Sequence, residues 1–330
     1  MRIVIDAMGS DQHPTPEILA AHQLINLDGK DILLAGKHEI ISQKMKELGV
    51  TLPSTNILDA PDVVEMSDKP VESARKKPRN SMAVGIEQVK NGNAIAFITA
   101  GNTGAAMFNG LRILGRINGV LRPAMPAIFP VSNGYCVVLD IGANVDCRPE
   151  FLEQFGIMGS IYAEKVLGKV NPRVGLLSNG EEPGKGNQLI KDSYPLLEKA
   201  NINFVGNVEA KEVFQGVVDV AVTDGFTGNI FLKGSEAVAK MLFDILKNEL
   251  TAGFRTSLGA FLAKPAFTKI KKMMDPREVG AAPLLGIDGL VFVGHGRSDQ
   301  KAIINAVRIV EQAVTKDIQS ALSDSFQNRI

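Results

Sequence analysis

The chain has 330 residues, 45% of them hydrophobic, which is length enough to bury a large core as one big α/β domain or as two smaller lobes. Basic and acidic residues, 36 of each, cancel to zero formal charge and argue against a nucleic-acid binder that depends on a global positive field. The only two cysteines, Cys136 and Cys147, have no CxxC spacing and no nearby histidine, which argues against a disulfide framework or a zinc site, and the first strand starts without a signal-like apolar run, as in a cytoplasmic protein.

From the amino terminus, strand and helix patterns alternate: MRIVID, a helix from about 16 to 27, DILLAG, a helix ending at Leu48, and TNILDA. This alternation predicts an α/β fold with a doubly wound, mostly parallel sheet, expected here as one continuous sheet carrying a helical subdomain. Residues 59–80 (DAPDVVEMSDKPVESARKKPRN) are polar and charged, and read as a surface excursion suited to fold over a site as a lid.

Four apolar runs then break off into Gly, Asn, Thr and Asp: AIAFITAGNTGA (94–105), VVLDIGANVDCRPE (137–150), VGLLSNGEEPGKGN (174–187) and VAVTDGFTGN (220–229). Such runs read as buried parallel strands, whose carboxyl ends are where open α/β sheets hold ligands. Glycines let backbone N–H groups approach, and Asn, Thr and Lys add donors, so the expected guest is an oxygen-rich anion such as phosphate. The candidate binding residues are Asn102, Thr103, Gly104, Asn144, Asp224, Thr227 and Gly228, with Asn229 and Lys185 beside them. Helix capping competes for the same residue types, and Thr103, Asn187 and Asp299 are expected caps. GEEPGKG (180–186) falls one residue short of a P-loop and has Gly186 where a Ser or Thr would hold magnesium. GHGRSD (294–299) lacks the third glycine of a dinucleotide fingerprint, but flexible glycines around His295 suit a proton donor as well as a plain turn. No base lies next to Cys147 to make it a nucleophile.

Residues 236–274 are helical in pattern. Within 251–274 stand Arg255, Lys264, Lys269, Lys271 and Lys272 with no acid, and Phe254, Leu258, Phe261 and Leu262 recur at helical spacing. An apolar stripe among cations suits an anionic membrane surface or an acidic partner, and equally a helix pair in a dimer interface.

Taken together, DAMGSD (6–11), AGNTG (100–104), DIGANVD (140–146), FVGNVE (204–209) and VTDGFTGN (222–229) closely resemble the bacterial phosphate acyltransferase family of phospholipid synthesis, with the match running through essentially the whole chain. Lys185-Gly-Asn187 and Gly294-His295-Gly296 also match, whereas the family's Gly-Gly-Asp-His stands here as Gly9-Ser10-Asp11-Gln12 with His13 one place later. The resemblance implies a fold similar to isocitrate and isopropylmalate dehydrogenases, a single acyltransferase domain over 1–330, a homodimer and peripheral membrane association. It implies transfer of a fatty acyl group from acyl carrier protein to inorganic phosphate, the acyl phosphate then being used by a downstream glycerol-3-phosphate acyltransferase. On this reading His295, Lys185 and Asn229 are catalytic, the strand-end residues above hold phosphate or substrate, and Leu258, Phe261 and Leu262 face the membrane; neither a metal nor a cofactor is expected. Two other readings stay open at this point: a metal-dependent hydroxyacid dehydrogenase of the same fold, and a non-catalytic scaffold for carrier protein and membrane.

Overall fold

A computed structural model describes residues 1–327; positions 328–330 lie outside the description. The first stretch lays down β1 (Arg2–Asp6), α1 (Thr15–Asn26), β2 (Asp31–Gly36), α2 (His38–Leu48), β3 (Ile57–Asp59), α3 (Pro70–Lys76), α4 (Ser81–Lys90), β4 (Ala96–Thr99) and α5 (Thr103–Ile113). The middle forms β5 (Ala127–Val131), β6 (Gly134–Leu139), α6 (Pro149–Leu167), β7 (Arg173–Leu177), α7 (Gln188–Lys199), β8 (Asn203–Val208), α8 (Ala210–Gln215) and β9 (Val220–Val222). A helical hairpin follows, α9 (Gly225–Thr251) and α10 (Phe254–Met273), and the chain returns through β10 (Ala281–Pro283), β11 (Leu290–Gly294), α11 (Gln300–Thr315) and α12 (Ile318–Gln327).

The expected alternation is present and the α/β class holds, but the strands form two sheets and not one continuous sheet. The first has the order β10-β11-β4-β1-β2-β3 and the second β5-β6-β9-β7-β8. All neighbours run parallel except β10 on β11 and β5 on β6. The chain crosses from the first sheet to the second through the segment 114–126, which holds Pro123 and Pro126 and none of these strands.

One apolar core spans both sheets. It joins Ile3 and Ile5 of β1, Phe155 and Met158 of α6, Val220 and Val222 of β9, Val307 of α11 and Leu322 of α12. The outer face of the first sheet has its own cluster around Val4, Ile86 and Phe97, and that of the second around Val138, Val208 and Ala221. Ile3 and Ile5 therefore point one way and Val4 the other, the period-2 alternation of a strand buried on both faces.

Several helices begin at strand ends with a side-chain cap. Asn187 accepts from Ile190 N, Asp224 from Thr227 N and Asp299 from Ala302 N. At α5 the cap is Asn102, whose Oδ1 accepts from Ala105 N, and Thr103 is the first helical residue. The shift from the expected Thr103 is one residue, in a pair where both side chains have capping chemistry.

Candidate active site

The carboxyl ends of β1, β4 and β11 meet in one group of loops. Asp6 accepts from Thr99 Oγ1 at 2.7 Å and Met8 N at 3.0 Å, and Asp11 N donates to Gly296 O at 2.7 Å. Asn102 spends both amide hydrogens on the backbone of the 59–80 excursion, donating to Met66 O and Asp68 O at 3.0 Å each. That excursion holds the short helix α3 and a bridge between Asp62 and Asn80, and it lies against the turn that follows β4. Gly104 belongs to the same contact: a Cβ built there would lie 2.6 Å from Pro70 Cγ, so a side chain does not fit against the excursion. Thr103 is half-buried beside them. His295 is exposed, and Arg297 N donates to its Nδ1 at 3.1 Å, so the neutral ring carries its proton on Nε2.

Beneath this group lies a carboxylate that sequence reasoning missed. Glu17 of α1 is 1% exposed, its Oε1 accepts from Ser10 N at 3.3 Å, and its Oε2 is buried without a hydrogen-bond partner. Burial pushes it up to about 7 from an ordinary 4.5, and burial also raises Asp6 in spite of the Thr99 and Met8 bonds. A cavity of about 10 Å³ lies between Asp6, Glu17, Thr99, Gly294 and Ser298. A signal was available: Glu17 falls on the helical stripe of Ala20, Ala21 and Leu24, all buried, and not on the polar face of α1.

The second group sits at the ends of β6, β7, β8 and β9. Asp140 organises it: Oδ1 accepts from Met125 N and Ala143 N at 3.0 and 3.2 Å, and Oδ2 from Asn144 N and Nδ2 at 2.6 and 3.1 Å. Burial raises the Asp140 carboxyl against those bonds. Asn144 gives its other contact to Pro123 O at 2.7 Å, so its amide holds the loop together and offers no donor to a ligand. Thr227 Oγ1 likewise donates inward, to Asp224 Oδ2 at 2.8 Å. Gly228 is required by close approach, since a Cβ there would fall 2.0 Å from Asp140 O. Asn229 stands over Gly142, with Nδ2 3.3 Å from where a Cβ of that glycine would be, and its amide has no hydrogen bond among the described residues.

Lys185 is exposed in the β7–α7 loop, whose fold is kept by Lys185 N and Asn207 Nδ2 both donating to Glu182 O at 2.9 Å. Its ammonium has no carboxylate partner among the described residues. Nearby strand ends hold three buried oxygens without partners, Ser178 Oγ, Asn207 Oδ1 and Thr223 Oγ1. Sequence reasoning passed over these too, because an orphaned oxygen is visible only once its neighbours are known.

The structure thus divides the expected site in two: Asn102, Thr103, Gly104 and His295 on the first sheet, Asn144, Lys185, Asp224, Thr227, Gly228 and Asn229 on the second. No hydrogen bond or ion pair among the described residues joins the groups. They are tied through the crossover, where Ala124 bridges Leu285 and Asp140 grips Met125. Neither thiol is fit for nucleophilic work, because burial pushes both Cys136 and Cys147 up to about 12.

A family described as fatty acid synthesis protein matches residues 1–321. A phosphate acyltransferase of Elusimicrobium minutum (strain Pei191) is 44% identical over 329 residues, covering 98% of this chain and 96% of its own. The chain belongs to the phosphate acyltransferase family. As a phosphate acyltransferase it is an enzyme of fatty acid and phospholipid synthesis. Among solved structures, the EutD phosphotransacetylase from Staphylococcus aureus is similar with a TM-score of 0.58 at 14% identity, covering 98% of this chain and 94% of its own. A 4-hydroxythreonine-4-phosphate dehydrogenase from Klebsiella pneumoniae gives 0.55 at 13% identity over 94% and 99%. At those identities the likeness shows the shared α/β fold of this phosphate acyltransferase and nothing of its substrates.

Proposed function

We propose that this phosphate acyltransferase moves a fatty acyl group from an acyl carrier protein thioester to inorganic phosphate and releases acyl phosphate. The observation that carries the reading is a set of donors left uncommitted while the Asn102 and Asn144 amides and the Thr227 hydroxyl are engaged in the framework: the Asn229 amide, the Lys185 ammonium and the His295 Nε2–H. Phosphate held by Lys185 and strand-end N–H groups attacks the thioester carbonyl through one oxygen. The new C–O bond forms as the attacking hydrogen phosphate gives up its proton, the carbonyl oxygen takes up negative charge and is met by Asn229, and the C–S bond then breaks with its electron pair leaving on sulfur; the thiolate accepts a hydrogen bond from His295 Nε2–H and takes up the proton that phosphate released. Phosphate is itself the nucleophile, so no acyl-enzyme is needed, and one preorganised oxyanion donor is worth about 2.7–4 kcal/mol. Asn102, Asn144 and Asp224 act by holding the loops in place.

The 1–330 chain works as one acyltransferase unit, with 236–274 as its docking arm. Leu258, Phe261 and Leu262 are 53%, 70% and 73% exposed on α10, and Val238, Met241, Leu242 and Ile245 form an exposed stripe at helical spacing on α9. The α9 stripe suits a second copy of the chain, and the α10 stripe with its cations suits the anionic cytoplasmic membrane face, where the glycerol-3-phosphate acyltransferase uses the product. No helix among the described residues is long and apolar enough to cross a membrane.

The test is to incubate acyl carrier protein thioester with the enzyme, with and without phosphate, and trap the product with hydroxylamine. Hydroxamate appearing only with phosphate, and unchanged by a metal chelator, is expected. Phosphate-independent thioester loss giving free fatty acid would sink the reading.

A further inference from the structure

A cavity of about 680 Å³ lies between the end of α10, the turn after it and α11, and its lining includes none of the candidate site residues. Its α11 wall is one helical face, Gln300, Lys301, Ile304, Asn305 and Arg308, and its α10 wall is Thr268, Lys271 and Lys272. Two carboxylates line it, Asp275 and Glu278, and both are engaged: Asp275 holds Arg277 at 2.7 Å, and Glu278 holds Lys301 at 2.5 Å. Arg277 also pairs with Asp299 at 3.0 Å. Arg308 donates only to the neutral Asn305 Oδ1, at 3.0 Å, and Lys271 and Lys272 have no carboxylate partner among the described residues. Three unpaired cations therefore converge from two helices on one concavity, and the amino-terminal dipole of α11 adds to the same field.

We infer that this cavity binds a soluble anion bearing phosphate groups, which bridges Lys271 and Lys272 of the hairpin to Arg308 of the body. Arg308 supplies the fork geometry that suits phosphate oxygens, and the lysines supply point charge. Lys271 and Lys272 also stand on the helix whose apolar stripe is read as meeting the membrane, so a lipid headgroup would offer the same phosphate chemistry, and the vesicle arm of the test separates the two sources.

The test is calorimetric titration of the full-length protein with inorganic pyrophosphate in saturating inorganic phosphate, which occupies the catalytic loops. One site is expected, with slowed amide exchange across 268–278, and Arg308→Gln and the pair Lys271→Gln with Lys272→Gln should each weaken it by about tenfold or more. Arg308 is exposed, so Arg308→Gln should keep its melting temperature and acyltransfer rate. Equal affinity in these variants, competition between pyrophosphate and phosphate that persists in Arg308→Gln, or an Arg308-dependent interaction seen with phosphatidylglycerol vesicles but with no soluble pyrophosphate would each overturn the inference.

Discussion

Replacing Glu17 by Gln should change how stability depends on pH, with a size that follows from the burial of this one carboxyl. The folded value of about 7 lies above the ordinary 4.5, so between them the folded protein keeps a proton that the unfolded chain has lost. The contribution is therefore fully present below about 4.5 and is lost as pH rises through about 7. The full swing, some 2.5 pH units, corresponds to about 3 kcal/mol, of which roughly 2 kcal/mol falls between pH 5.5 and 8. Gln keeps an acceptor for Ser10 N but has no charge to bury, so Glu17→Gln should gain on wild type by that amount over this interval. Asp6 is raised by burial as well and will leave part of the slope in the variant. Urea denaturation followed by circular dichroism at pH 5.5, 6.5 and 8 measures the difference directly. If the two proteins differ by the same amount at every pH, Glu17 ionises normally in the fold and the argument from its burial is wrong.

Gly228→Ala should cost about 2–3 kcal/mol or prevent soluble expression, because its Cβ would meet Asp140 O, while Gly184→Ala, with open space around it, should melt as wild type; equal melting of the two would refute the close approach. Asn229→Ala should lower kcat about 100-fold and Lys185→Ala should raise KM for phosphate, both with melting temperatures near wild type, and a matching loss of stability would take them out of the site. His295→Asn should slow turnover about 100-fold at unchanged KM, and an unaltered rate would make it a turn residue. Leu258→Glu should release the enzyme from anionic vesicles and leave transfer from soluble carrier protein intact, whereas loss of the dimer or of turnover in solution would make the stripe a subunit interface.

What could be read from the sequence was what is decided locally. The strands and helices of the first 60 residues follow from apolar periodicity, and Asn187 and Asp299 cap helices as expected because a cap needs only its own next three residues, whereas Asp224, expected to bind, caps α9. The division into two sheets depends on which strands pair across the crossover, and no single window of sequence contains that. The same limit separates framework from function in the site. Asn102, Asn144 and Asn229 are one residue type in motifs that look alike in sequence, yet the first two spend their amides on Met66 O, Asp68 O and Pro123 O, carbonyls distant in sequence, while Asn229 lies in the first turns of α9. Only the fold shows those carbonyls to be in reach. A buried amide already satisfied by the protein gains nothing from a passing anion, whereas one facing the loop mouth without a partner gains a hydrogen bond when the anion arrives. The donors left over after the framework is satisfied are therefore the ones available to bind, and Asn229, Lys185 and His295 Nε2 remain on that ground and not because their motifs are richer than the others.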